Sequence, residues 1–278
     1  MGNAMRTAND KRQPPNNAGG RPSNVKWWWI AVACVVIAAI VVLVMTRRED
    51  KTWRQIQHSG IVRFGMDPNY WPFEGLTVSG EFAGVDADLA RELALRLGLR
   101  AELVVVGSDG FYDALTAGRC DAIISALMPD PKRTWDFAYT APYFDEGLVF
   151  VVPSASRFSG DLAGRAIVVE FGSEGDVRAR WLARRTVGLR VLTRETSAEA
   201  MQTVEAGLAD ASLTDTATAR QYVAAHPTLR IGPRQTSSPY VIAVRASAPD
   251  LLRALNKALA QVQADGTLEH TLARWLDQ

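Results

Sequence analysis

Hydrophobic and polar positions divide the chain into three stretches. Residues 1–26 are polar, rich in Asn, Pro and Gly, and show no apolar period. Such a composition cannot bury enough surface to fold, so a disordered tail is expected. Residues 27–45, WWWIAVACVVIAAIVVLVM, are continuously apolar and uncharged. At about 1.5 Å per residue a helix over them spans about 28 Å, close to the roughly 30 Å of a bilayer's hydrocarbon core. Trp27, Trp28 and Trp29 stand at one end, where indoles suit the headgroup region. This predicts a transmembrane anchor over 27–46 and a linker over 47–57. A helix buried in a globular core is the alternative.

From about residue 61 short apolar runs alternate with amphipathic ones. Residues 61–64 read as a strand, and 86–97 as a helix with Leu89, Leu93 and Leu97 on one face and Gly98 as its stop. A strand over 101–106, a short helix over 111–117 and a strand over 122–124 follow. This β-α-β-α-β order implies a largely parallel sheet. Residues 147–152 form a long apolar strand, a crossover to a second lobe, where the pattern restarts. Strands are expected at 166–169, 189–192 and 211–213. Helices are expected from the 172–175 turn to 184, over 198–206, and from Asp215. A strand over 241–244 returns to the first lobe, and helices over Pro249–Ala264 and Thr267–Leu276 close the chain around Asp265-Gly266. The reading is an α/β fold of two similar lobes, the second inserted in the first, with a cleft between them suited to a ligand. Lobe 1 takes residues 58–149 and 239–278, and lobe 2 takes 150–238.

Charge orients the anchor. Arg6, Lys11, Arg12, Arg21 and Lys26 precede it, and Arg47, Arg48 and Lys51 follow it. The excess of basic side chains places the tail in the cytoplasm and the large domain outside. A cleaved signal peptide is the rival, but no small-x-small site follows the apolar run, where Val44-Met45-Thr46 stands. A lipoprotein site at Ala31-Val32-Ala33-Cys34 fails because the apolar run continues for eleven residues past the cysteine. Gly2 lacks the myristoylation pattern, because position 6 is Arg6. Overall, 31 Lys and Arg face 30 Asp and Glu, which gives no basic surplus for nucleic acid. Cys34 and Cys120 are the two cysteines, and Cys34 lies in the apolar run, so neither a disulfide nor a cysteine metal site is expected. His58, His226 and His270 are scattered without metal-ligand spacing, and there is no P-loop or nucleophile elbow. No cofactor is expected.

Candidate chemistry centres on residues 121–133, DAIISALMPDPKR. An apolar strand runs into a loop that begins at Ser125 and ends near Arg133. Open α/β sheets bind ligands at the carboxyl ends of their strands. A guanidinium fork matches a carboxylate bidentately. A surface arginine is the plain alternative.

Several motifs then fall in one order. They are Gly65-Met66-Asp67-Pro68-Asn69-Tyr70-Trp71-Pro72-Phe73, Gly84-Val85-Asp86-Ala87-Asp88-Leu89, DAIISA followed by Arg133 and Ala141-Pro142-Tyr143-Phe144, Gly172-Ser173-Glu174-Gly175, and Asp210-Ala211-Ser212-Leu213-Thr214-Asp215. In this order they resemble the family 3 extracellular solute-binding proteins of polar amino-acid ABC transporters, with the type II periplasmic-binding-protein fold, over about residues 58–278. The resemblance implies an amino-acid site and an ABC permease as partner. Arg133 would clamp the α-carboxylate, helped by N–H groups near Ser125 and at the helix start 173–176, which includes Ser173. Asp215 would take the α-ammonium, or only cap its helix, or do both. Tyr70 would stack on the ligand, Phe111 would form a second wall, and Asp67 could meet a basic side chain. Asp86 and Asp88 read as helix-capping and first-turn residues.

Three positions depart from the family pattern. Met128 stands where a Ser or Thr is usual, Glu174 replaces the second Thr of the lobe 2 turn, and Ala126 replaces a Gly. An inward Glu174 would oppose a carboxylate and favour a cationic ligand; an outward one is a first-turn helix residue. Two other functions use this fold: a cyclohexadienyl dehydratase-like enzyme, with Glu174 as its candidate acid, and a ligand-sensing receptor subunit with a separate signalling partner. The reading preferred here is a non-enzymatic solute-binding protein.

Overall fold

The computed structural model describes residues 25–46 and 50–278, with side chains in the first stretch described over 28–38. Residues 1–24 and 47–49 lie outside the described residues, and with them nearly all of the expected tail and the start of the expected linker. Val25–Thr46 is a 22-residue helix. Among the described residues no helix is long and apolar enough to cross a membrane, so the anchor rests on the sequence. Asp50–Gln278 forms a separate compact unit.

That unit begins earlier than the linker reading has it. Lys51–Ser59 is a helix capped by Asp50, whose carboxylate accepts the Trp53 N–H. The other oxygen of Asp50 accepts the N–H groups of Asp250 and Leu251 at 2.9 and 3.1 Å. One buried carboxylate thus ties two helix starts together. The helix has few apolar positions, chiefly Trp53 and Ile56, and so gives little periodic signal.

Two five-stranded sheets follow. In lobe 1 the order is Arg100–Val105, Ile61–Met66, Ala122–Ile123, Ala243–Arg245, Phe137–Tyr139. The first three run parallel and Ala243–Arg245 runs against both of its neighbours. In lobe 2 the order is Arg190–Arg194, Ala166–Glu170, Ala211–Thr214, Val149–Pro153, Leu229–Arg234, with the same change of direction at Val149–Pro153. Leu229–Arg234 is a strand that the sequence pattern does not announce. Pro233 and two arginines mask it, and an edge strand tolerates both.

Both sheets are covered on both faces, so neighbouring strand residues enter different cores. Val62, Phe64 and Met66 join the cluster that also holds Leu251, Leu255, Leu268, Leu272 and Leu276 of the two closing helices. Ile123 and Phe111 join the cluster on the opposite face. Lobe 2 repeats this arrangement, with Phe150, Ile167 and Val169 on one side and Val149, Val151 and Val168 on the other. Burying each such side chain stabilises by about 1.5–3 kcal/mol.

The lobes are joined by two chain crossings. Phe144–Asp145 pairs antiparallel with Pro239–Tyr240. Asp145 accepts the Gly147 and Ser238 N–H groups and the Ser237 hydroxyl at 2.8–3.0 Å, and Arg234 lies 3.1 Å from it. Burial raises the Asp145 carboxyl, but these donors outweigh it and hold the group below its ordinary range. Behind the crossings Arg220, on the lobe 2 helix Thr216–Ala225, reaches Asp277 and Glu269 near the end of the chain, each at 2.7 Å.

Candidate functional site

A cavity of about 320 Å³ opens between the lobes, at the carboxyl ends of the parallel strands. This is where an α/β sheet offers loops and helix starts to a ligand. Lobe 2 supplies one wall. Ala166–Glu170 ends at Glu170, and the helix Glu174–Ala183 begins after Gly172-Ser173. The Ser173 hydroxyl donates to the Glu170 carbonyl at 2.8 Å and accepts the Asp176 N–H. The Glu170 carboxylate accepts both the N–H and the hydroxyl of Ser197, at 3.1 and 2.6 Å. Asp215 ends the neighbouring strand and caps the next helix, accepting the Thr218 N–H at 2.8 Å, while it also lines the cavity. Asp215 thus caps its helix at the cavity wall. Glu174 lines the cavity too, at the first position of its helix.

Glu146, at the crossing, adds a fourth carboxylate. It accepts the Ala217 N–H at 2.9 Å. Burial, and then the charge of Asp215, push its carboxyl up to about 8. Lobe 1 closes the space with Tyr70, Tyr240 and Met128. The two phenols share a hydrogen bond of 3.1 Å, and Tyr70 stacks on Phe73 while remaining 46% exposed. Four carboxylates, two phenols and the hydroxyls of Ser173, Ser197, Thr214 and Ser238 thus face the cavity. Among the described residues no Lys, Arg or His lines it. Such a surface receives ammonium or guanidinium groups and repels carboxylates.

The remaining sequence candidates sit elsewhere. Arg133 ends the short turn Pro131–Arg133, with its guanidinium 4.4 Å over the Tyr112 ring and Nε 3.4 Å from Asp130. It does not line the cavity. Asp67 accepts the Ser108 N–H and both donors of Asn69; burial raises its carboxyl, but these donors hold it low. Phe111 lies in the lobe 1 core rather than on the cavity wall. Ser125 is buried, accepting the Asp67 N–H at 3.0 Å and donating to Glu74 at 2.5 Å.

Asp86 and Asp88 do lie in the first turn of Val85–Arg96, but neither caps it. Gly84 is the N-cap of its helix, without a side-chain bond, and Asp86 instead accepts the Ala126 N–H at 2.6 Å. Asp88 accepts from Arg274 and the Trp275 indole. Sequence reasoning missed Glu74, Glu146 and Glu170. Glu74 lies beside Asp86 beneath the loop, where burial and then that neighbour push its carboxyl far up. Glu170 had a signal, a charge ending an otherwise apolar strand.

The chain resembles known proteins over nearly all of this unit. It is 25% identical over 224 residues to ABC transporter arginine-binding protein 1 of Escherichia coli (strain K12), covering 78% of this chain and 91% of the relative. It is 27% identical over 227 residues to L-cystine-binding protein TcyJ of the same strain, covering 80% and 84%. Among solved structures, an ancestral cationic amino acid solute binding protein matches with a TM-score of 0.60 at 29% identity, covering 81% of this chain and 100% of that one. The two curated relatives are binding proteins rather than enzymes. The family model matches residues 62–278, and the chain belongs to the bacterial extracellular solute-binding proteins, family 3.

Proposed function

We propose that this chain is the membrane-anchored, extracytoplasmic receptor of an amino-acid ABC importer, and that it captures a small cationic, amino-acid-like ligand by closure of its two lobes. The observation that carries the ligand class is the cavity, whose charged groups are all carboxylates. Asp215 takes an ammonium group through a charge-assisted bond contributing about 1.5–3 kcal/mol, and Glu146 joins it once it gives up its proton. Glu170 and Glu174 face the rest of the ligand, Ser173 adds a hydroxyl, and Tyr70 stacks on the ligand's alkyl or planar part. Closure follows because the walls belong to different lobes, and a ligand touching both favours the closed state. The arginine-binding and cationic amino acid-binding relatives support the same class. The apolar run 27–45 supports the anchor, with the basic tail inside, and the family supports delivery to a permease.

A thermal-shift screen of the full chain in detergent tests the ligand class. Arginine, lysine or ornithine at millimolar concentration should raise Tm, whereas aspartate and glutamate should not. Stabilisation by the acidic amino acids alone would overturn the reading.

A further inference from the structure

We propose that Glu74 and Asp86 are positioning residues of the ligand site: the two buried carboxyls share one proton and, as a unit, hold the Ser125-Ala126 turn that brings Met128 to the cavity. This rests on the inter-lobe cavity being the ligand site. Neither acid lines the cavity itself.

The backbone brings the two acids together. The strand Glu74–Leu76 and the helix Val85–Arg96 meet where the Val85 and Asp86 N–H groups donate to the Pro72 and Phe73 carbonyls, at 3.2 and 2.8 Å. The approach requires Gly84, which holds φ at +121° and on which a Cβ would overlap the Phe73 carbonyl. The Glu74 and Asp86 side chains end side by side, in residues that are 1% and 0% exposed.

Their hydrogen bonds leave one oxygen of each unanswered. Glu74 Oε1 accepts the Ser125 hydroxyl at 2.5 Å, and Asp86 Oδ2 accepts the Ala126 N–H at 2.6 Å. Glu74 Oε2 and Asp86 Oδ1 are buried and meet no donor. Two ionised carboxylates packed together would repel each other, and burial disfavours both charges. One proton on Glu74 Oε2, donated to Asp86 Oδ1, satisfies both oxygens and leaves the pair with a single charge. The other titratable groups around the pair are Tyr143, next to Asp86, with Asp67, Tyr70 and Tyr240, and none of them supplies a positive charge. Burial, and then the charge of Asp86, accordingly raise the Glu74 carboxyl far above its ordinary range.

What the pair holds is one turn, each acid taking one of two consecutive residues. The Ser125 oxygen also accepts the Asp67 N–H at 3.0 Å, and the Leu127 carbonyl accepts the Val241 N–H at 2.8 Å. Between them Ala126 stands at φ +43°, a conformation that alanine does not favour unaided. Met128 follows two residues later at the cavity wall. Without the shared proton two negative charges would stand beneath this turn.

Infrared difference spectra of the full chain in detergent at pH 7 test the shared proton. The wild-type spectrum should contain a protonated-carboxyl C=O stretch that Glu74→Gln lacks; identical spectra would overturn the proposal. Glu74→Gln keeps a donor for Asp86 and an acceptor for Ser125. Its amide hydrogen exchange over residues 125–128, and its arginine affinity by calorimetry, should stay within about threefold of wild type. Glu74→Met removes both groups. It should speed that exchange and weaken arginine by about tenfold or more, with exchange over Ile61–Met66 unchanged. Wild-type exchange over 125–128 in Glu74→Met, or protection lost across the whole of lobe 1, would reduce the pair to packing and overturn the positioning role. A loss of about tenfold in Glu74→Gln would overturn it as well, whether or not Glu74→Met folds. If arginine, lysine and ornithine all fail to bind the wild type, the cationic-ligand reading falls, while the infrared and exchange results still decide the pair.

Discussion

Ala126 holds φ at +43°, in the left-handed region that suits glycine. It is kept there by the N–H bond to Asp86 beneath the loop. Ala126→Gly relieves the strain on the Cβ, set against a looser unfolded chain. The expected net gain is about 0.5–1 kcal/mol, or roughly 1–4 °C in Tm by calorimetry; a lower Tm would show that the conformation costs alanine nothing. At this scale the sequence says much about the cavity and less about its loops. Tyr70, Ser173, Glu174 and Asp215 are each marked by a motif, and each lines the cavity. Glu146 carries no such mark, because its role depends on Asp215, far along the chain and adjacent only after folding. Arg133 has a motif, but Tyr112 and Asp130 hold its side chain elsewhere, and backbone spacing cannot report a rotamer.

Among the elements, the parallel strands and long amphipathic helices are the part best announced by periodicity, since Leu89, Leu93, Leu251 and Leu255 recur at helical spacing and are buried. The crossings are the opposite case. Their strands are two residues long, Phe144–Asp145 and Pro239–Tyr240, too short for any period. What fixes them is a close approach of backbone to backbone. A Cβ on Gly147 would lie 2.1 Å from the Thr236 carbonyl oxygen, far inside van der Waals contact. Gly147→Ala is expected to force the two segments apart, at a cost of about 1–3 kcal/mol in urea unfolding. It should also weaken ligand binding, because Glu146 is the adjacent residue. Full stability in the variant would show that the crossings have slack.

For the molecule as a whole, the raised carboxyl of Glu146 gives two opposite dependences on pH. Its ordinary value is 4.5, and in the fold it reaches about 8. The folded state therefore binds the proton more tightly than the unfolded chain does. This contribution to stability is complete below about 4.5 and is lost as pH rises through about 8. A cationic ligand prefers the ionised carboxylate, so its affinity should rise over the same interval. Thermal shifts at pH 6, 7, 8 and 9 should show the ligand-free Tm falling while the ligand-induced increment grows. An increment that stays flat across that range would remove Glu146 from the ligand's surroundings.

The walls of the cavity are unlike. Glu170, Glu174 and Asp215 belong to lobe 2, Glu146 stands at the crossing, and Tyr70, Tyr240 and Met128 opposite them carry no charge. The capture proposed above then divides into two kinetic steps that differ in their response to ionic strength. The encounter of a cation with lobe 2 is electrostatically steered and slows as salt shortens the Debye length from about 30 Å at 0.01 M to about 8 Å at 0.15 M. The swing of an uncharged aromatic wall over the bound ligand is a first-order step, and salt leaves its rate nearly unchanged.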